Sequence, residues 1–281
     1  SLRLVGSEMC IRDSVNPKLM KLNAEESEPL NHAYGTNGII TSLIISTDVK
    51  QDWYSIVIDC EDFQNAINII KLCTSAAIEL KLGAILEDEI VDKMPSWFKR
   101  KNLCHKLLIQ SNLGGVKTIE MICKKNELNL ENLGREDELD HGISDLVWNH
   151  TTLQMRAKDK HWTYLQMLLP LNEEFKLIKS LRDKYGKELL WHLEAVSQQG
   201  IPRLAALPLL KWNDEKQLNE IMEDCRNLGA IIFNPHVLTV EGGGLGVTDA
   251  DQVKAKQNYD PKGLLNPGKL AGWAEKEKFI D

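Results

Sequence analysis

Twice along this chain a strand-like run is followed by a helix, two further strand-like runs and a second helix, and no other feature narrows the possible folds as much. WYSIVIDC (Trp53–Cys60) is β-branched and apolar enough for a buried strand. Glu61–Lys81 follows with Phe63, Ala66, Ile67, Ile70, Ala77, Ile78 and Leu80 at helical spacing, and Asp59 or Glu61 can supply its N-terminal cap or charge. Gly83–Val91 and His105–Gln110 read as strands, and Thr118–Lys125 as a short helix. The second pass runs from a strand at Trp162–Pro170 to a helix at Asn172–Tyr185 closed by Gly186. Strands at Glu188–Val196 and Leu204–Trp212, a helix at Asn213–Leu228 with Gly229 behind it, and a strand at Ala230–Val240 complete it. This order predicts an α+β fold, a duplicated ferredoxin-like and mostly antiparallel sheet with its helices on one face.

The 281 residues suffice for one large domain or two small ones with a sizeable core. The net charge of −7 argues against a general nucleic-acid binder and against docking on an anionic membrane through charge alone. No run of 18 apolar residues occurs, so no transmembrane segment is expected. The six cysteines form no C-x-x-C pair, which predicts reduced, mostly buried thiols, a cytoplasmic setting and no bound zinc.

The first residues fit no element. LVGSEMCIRDS within Ser1–Ser14 resembles one reading frame of a sequencing adapter, so residues 1–14 are expected to be an artefactual or disordered leader. On that reading the gene is truncated and a preceding domain is missing. AYGTNGIITSLIIST (Ala33–Thr47) reads as a Gly-rich turn entering a strand, and Thr47–Asp52 as a polar joint. Asp249–Gln257 reads as a helix. After it, two prolines and two glycines within Pro261–Gly268 forbid regular structure, while Leu264 and Leu265 seek burial.

Two of these segments resemble a known family. GTNGIIT (Gly35–Thr41) resembles the turn that ends the FAD-binding domain in the vanillyl-alcohol-oxidase, PCMH-type superfamily. KQNYDPKGLLNPGK (Lys256–Lys269) resembles the terminal segment that returns to the flavin in the same superfamily. They occur in the right order, and WNHTTLQ (Trp148–Gln154) and NPHVLTVEGGG (Asn234–Gly244) resemble its bacterial FAD-linked oxidases, so the resemblance covers about residues 30–273. It implies a remnant of the FAD-binding domain at residues 15–48, a substrate cap domain at 49–245 and a returning segment at 246–281.

The implied cofactor is FAD. Gly35 and Gly38 would allow close backbone approach, Ile39, Ile40 and Thr41 would line the flavin, and Asn266 and Lys269 would offer an amide and a cation. His236, with Glu241 five residues on, and His150 are the candidate catalytic groups, because an imidazole titrates near neutrality. Arg156 and Tyr164 are candidate substrate contacts, and His192 is a weaker candidate within a strand. The H-x-G-D-G-N-x-H segment that places metal-binding histidines in the 2-hydroxy-acid dehydrogenases of the superfamily is missing, so no metal is expected. The function implied is that of a C-terminal fragment of an FAD-dependent oxidoreductase, inactive alone. Its whole would oxidise a small alcohol or hydroxy acid by hydride transfer to flavin N5, for an electron acceptor the sequence leaves open. The alternative is a non-enzymatic ferredoxin-like ligand-binding or interaction module.

Overall fold

The computed structural model describes residues 4–13, 16–98, 102–243 and 249–273. The chain divides into two compact units: residues 1–50 with 233–281, and residues 51–232.

The first unit opens with β1 (Leu4–Asp13) and β2 (Asn16–Asn23), an antiparallel hairpin. The short α1 (Ala24–Ser27) and then β3 (Ile39–Ile45) follow, and β1 pairs with β3 to give the order β2-β1-β3. Leu4–Asp13 therefore forms a strand where the sequence pattern offered no element; backbone pairing to two neighbours supplies what side-chain periodicity lacks.

The second unit carries both repeats. β4 (Tyr54–Cys60), α2 (Phe63–Ser75), β5 (Leu80–Leu86), the short α3 (Asp88–Val91), β6 (His105–Ser111), α4 (Leu113–Lys125) and β7 (Leu130–Arg135) form the first. α5 (Asn149–Lys158) and β8 (Trp162–Tyr164) intervene. The second repeat runs β9 (Gln166–Leu168), α6 (Glu174–Tyr185), β10 (Leu189–Leu190), β11 (His192–Gln198), β12 (Ile201–Ala206), β13 (Leu209–Lys211), α7 (Glu215–Asn227) and β14 (Ile231–Phe233). The main sheet has the order β14-β9-β12-β11-β5-β6-β4-β7. β4 and β6 are central in the first half and β9 and β12 in the second, as in a ferredoxin-like fold, and the two halves meet where β11 pairs antiparallel with β5.

Period-two alternation explains why both faces of this sheet are covered. Ile56, Ile58, Ile85, Leu107, Ile109 and Leu193 point into one core, filled by apolar residues of α2, α4, α6 and α7. Val57, Ala84, Leu86 and Leu108 point into a second core beneath Ile143, Leu146, Val147 and Met155. The four long helices thus share one face as expected, and the other face is closed by the segment around α5 and the small sheet β10-β13-β8.

Several boundaries differ from expectation. Asp62 rather than Asp59 or Glu61 caps α2, accepting from Asn65 N at 2.7 Å. Asp59 instead takes the Lys106 ammonium at 2.7 Å. α2 stops at Ser75, and Leu80 belongs to β5. Trp162–Pro170 is split between two sheets, as is Glu188–Val196. α4 begins at Leu113 because Asn112 caps it, accepting from Gly115 N at 2.9 Å. After β14 the chain returns to the first unit as the short α8 (Val240–Gly243) and α9 (Ala250–Tyr259), the latter capped by Asp249. Among the described residues, no helix is long and apolar enough to cross a membrane.

Candidate functional site

In the first unit the structure brings the Gly-rich turn and the Pro/Gly tail together. The Lys256 ammonium, 2% exposed, is the knot. It donates to the carbonyls of Thr36 and Leu265 at 2.8 Å each and to Asp260 Oδ2 at 2.5 Å. Asp260 in turn accepts from Leu264 N at 3.0 Å and Leu265 N at 2.8 Å. One buried ion pair therefore fixes the start of DPKGLLNPGK against GTNG. Asn37 adds a tether from the turn to α9, donating to the carbonyls of Pro29 at 2.9 Å and Gln252 at 3.1 Å.

Asn266 donates through Nδ2 to the Tyr34 carbonyl at 2.5 Å. Gly35 beside it has φ +66°, and a Cβ there would lie 3.1 Å from the same amide nitrogen, so the position favours glycine twice over. A Cβ on Gly243 would lie 2.6 Å from the Tyr34 hydroxyl, which places the end of α8 on the same residue. Ile39 and Ile40 start β3 and are 48% and 44% exposed, and Leu43, Ile44 and Ile45 are exposed as well. Leu264 remains exposed, against the expectation of burial, and Leu270 is the residue of this tail that enters a core.

The remaining candidates of this unit are engaged differently. Glu241 accepts from the backbone N–H of Ala271 at 3.0 Å and Gly272 at 2.9 Å, so its carboxylate secures the tail. Lys269 is half-buried, and its carbonyl accepts from Val240 N at 2.8 Å. His236 is exposed, with its backbone N–H on Asn234 Oδ1 at 2.9 Å. Gly38 and Thr41 flank the two isoleucines at the head of β3.

The second unit holds His150, Arg156 and Tyr164. His150 lies in the first turn of α5, exposed, with Nδ1 3.3 Å from the Ser144 carbonyl. A carbonyl only accepts, so this contact needs a proton on His150 Nδ1. Ser144 donates from Oγ to Glu136 Oε1 at 2.6 Å, and Ser55 donates to the other carboxylate oxygen. Burial works against the Glu136 charge, but these hydroxyl donors outweigh it and hold the carboxyl below its ordinary range. Arg156 donates to the Trp162 carbonyl at 2.8 Å, which fixes α5 against β8, the strand that carries the half-buried Tyr164.

Sequence reasoning missed Trp148 and Glu194. Trp148 precedes α5 at φ +54°, ψ −140°, a conformation that costs a non-glycine residue of order 1–3 kcal/mol. Its N–H donates to Glu194 Oε1 at 2.6 Å. His192, fully buried two residues earlier in β11, has Nε2 3.2 Å from the same oxygen, out of hydrogen-bond alignment. Position in β11 puts both side chains on one sheet face, and alternation was the available signal.

Glu87, Asp88 and Glu89 have carboxylate oxygens close enough together to share a cation. Arg182 already pairs with Glu87, and Lys187 with Glu89 at 3.2 Å, so protein cations meet two of the three carboxylates, while the Asp88 N–H donates to His105 Nδ1 at 3.1 Å.

Neither a protein-family model nor a curated protein matches the chain. Solved structures do. One of alkyldihydroxyacetonephosphate synthase superposes with a TM-score of 0.64 at 14% identity, over 94% of this chain and 53% of that one. A second crystal form gives 0.62 over 95% and 54%. A BBE-like 1 variant from Physcomitrella patens gives 0.52 at 10% identity, over 95% and 65%. The fold of this chain is thus similar to that of these solved structures. This chain spans about half the length of the synthase it resembles.

Proposed function

We propose that this chain is the C-terminal part of an FAD-linked oxidoreductase that oxidises a small alcohol or hydroxy acid. The observation that carries this reading is the lashing of DPKGLLNPGK to the GTNG turn by Lys256, Asp260 and Asn266. A protein that only needed a loose terminus would not spend a buried ion pair on it. The residues suit a flavin: Gly35 lets the Asn266 amide close against the turn, and Ile39 and Ile40 offer apolar surface at the head of β3. Five large exposed apolar side chains on β3 also favour a covering surface, as a flavin-binding domain would give.

FAD, when bound, supplies the hydride acceptor. His150 takes the substrate hydroxyl proton at Nε2, and the Nδ1–Ser144 contact stabilises the imidazolium that results. In the second unit, read as the substrate cap domain, Arg156 is the candidate for an anionic substrate group and Tyr164 for a further contact, while in the first unit Lys269 offers a cation. Glu241 serves the site as an anchor of the tail, and His236 is the second candidate for the proton.

The test is the visible spectrum of the full-length protein to which this chain belongs. A yellow protein with one FAD per chain supports the reading. A colourless one refutes it and favours a ferredoxin-like ligand-binding module. In that holoprotein His150→Ala is expected to slow flavin reduction roughly a hundredfold or more.

A further inference from the structure

The segment that delivers His150 is held at two points by carboxylates, and we propose that Glu136 and Glu194 are the positioning residues that fix the tautomer and direction of its imidazole. This inference rests on the reading of His150 as the proton acceptor. Glu136, just beyond β7, grips Ser144 through Oγ at 2.6 Å and through the backbone N–H at 3.4 Å. The carbonyl of that same serine meets His150 Nδ1. Glu194, in β11, grips Trp148 N, two residues before His150.

Leu146 and Val147 between the grips, and Ile143 just before the first, are fully buried, so the segment cannot rotate as a whole. Gly142 leaves no room for slippage at the first grip: a Cβ there would lie 1.9 Å from Glu136 Oε1. At the second, α5 has no side-chain cap of its own, and Glu194 takes the place of one. His192 stands behind Glu194, fully buried, with Nε2 3.2 Å from the same carboxylate oxygen. A strained Trp148 persists because both ends of the turn are pinned.

The chemical consequence concerns the base. Free neutral imidazole prefers the proton on Nε2, which would leave no lone pair on the outward nitrogen. Holding the Ser144 carbonyl at Nδ1 reverses that preference.

The test is the ring nitrogen spectrum of His150 in this chain at a pH where the ring is neutral, with Glu136→Ala, Glu194→Ala and Glu194→Gln. The wild type is expected to show the Nδ1–H tautomer. Both alanine variants are expected to revert to Nε2–H, and Glu194→Ala to speed exchange of the Trp148 amide about tenfold or more, the loss of one charged hydrogen bond. Glu194→Gln keeps an acceptor oxygen and should restore both readouts. Should an alanine variant not fold, Glu194→Asp retracts the carboxylate by one methylene and should give the same reversion. An Nε2–H tautomer in the wild type, or an unchanged tautomer and unchanged exchange in Glu194→Ala, would overturn the proposal. An unchanged flavin-reduction rate in His150→Ala would remove the base reading alone, and leave the tautomer result standing.

Discussion

Removing the Lys256 side chain should free the tail from the turn. The ammonium is 2% exposed and satisfies three oxygens, one on Asp260 and two on the backbone. Lys256→Ala leaves the Asp260 charge buried with only the Leu264 and Leu265 N–H groups for company. Breaking a buried pair from one side costs about 3–5 kcal/mol, because the stranded charge keeps its desolvation penalty. That corresponds to a loss of amide protection of roughly a hundredfold to a few thousandfold. Hydrogen exchange at Leu264 and Leu265 reads it directly. Asp260→Asn, which retains one acceptor oxygen, should lose less. A change below about tenfold in Lys256→Ala would refute the argument that this ion pair secures the tail.

Other outcomes follow from the same structure. His105 is neutral in the fold, its pKa pushed down to about 4 from 6.5 by burial, while its Nδ1 accepts from Asp88 N at 3.1 Å. The unfolded chain therefore binds a proton that the folded chain refuses between those values, so stability falls as pH drops through that window, by about 3 kcal/mol in all. Urea midpoints measured across it should show the slope, and His105→Gln should flatten it. Glu136 acts lower: its folded pKa is depressed, so its contribution is full above the ordinary carboxylate range and is lost as pH falls through the folded value. Glu136→Gln should remove that acid limb of the stability curve. Gly142→Ala should cost about 2 kcal/mol or more, read by urea unfolding, because its Cβ collides with Glu136. Thiol reagents under native conditions should modify half-buried Cys104 before Cys60, Cys73 and Cys225, whose thiols burial pushes up to about 12.

The repeated half-sheet was legible because its helices expose one polar face and its strands are β-branched; α2, α4, α6 and α7 all fall within or across expected helices. β7 was missed because LENLGR is a polar edge strand with little apolar alternation. α5 was missed because NHTTLQMRAK buries only Thr151, Thr152 and Met155, a stripe defined by the loop beneath it rather than by its own pattern. The split of WTYLQMLLP followed the same cause: which sheet a strand joins depends on partners distant in sequence. For the site, Gly35 and Asn266 were readable as special backbone positions. The roles of Lys256 and Glu194 were not, since a lysine in a helix and a glutamate in a strand ordinarily face water.

The GTNG turn and the DPKGLLNPGK tail are proposed together to face one FAD. Photolabelling the full-length protein to which this chain belongs with 8-azido-FAD, followed by peptide mapping, tests it most directly. Label is predicted within residues 33–41 and 260–270, and lost when excess FAD competes. Saturable label confined to other peptides would contradict the account.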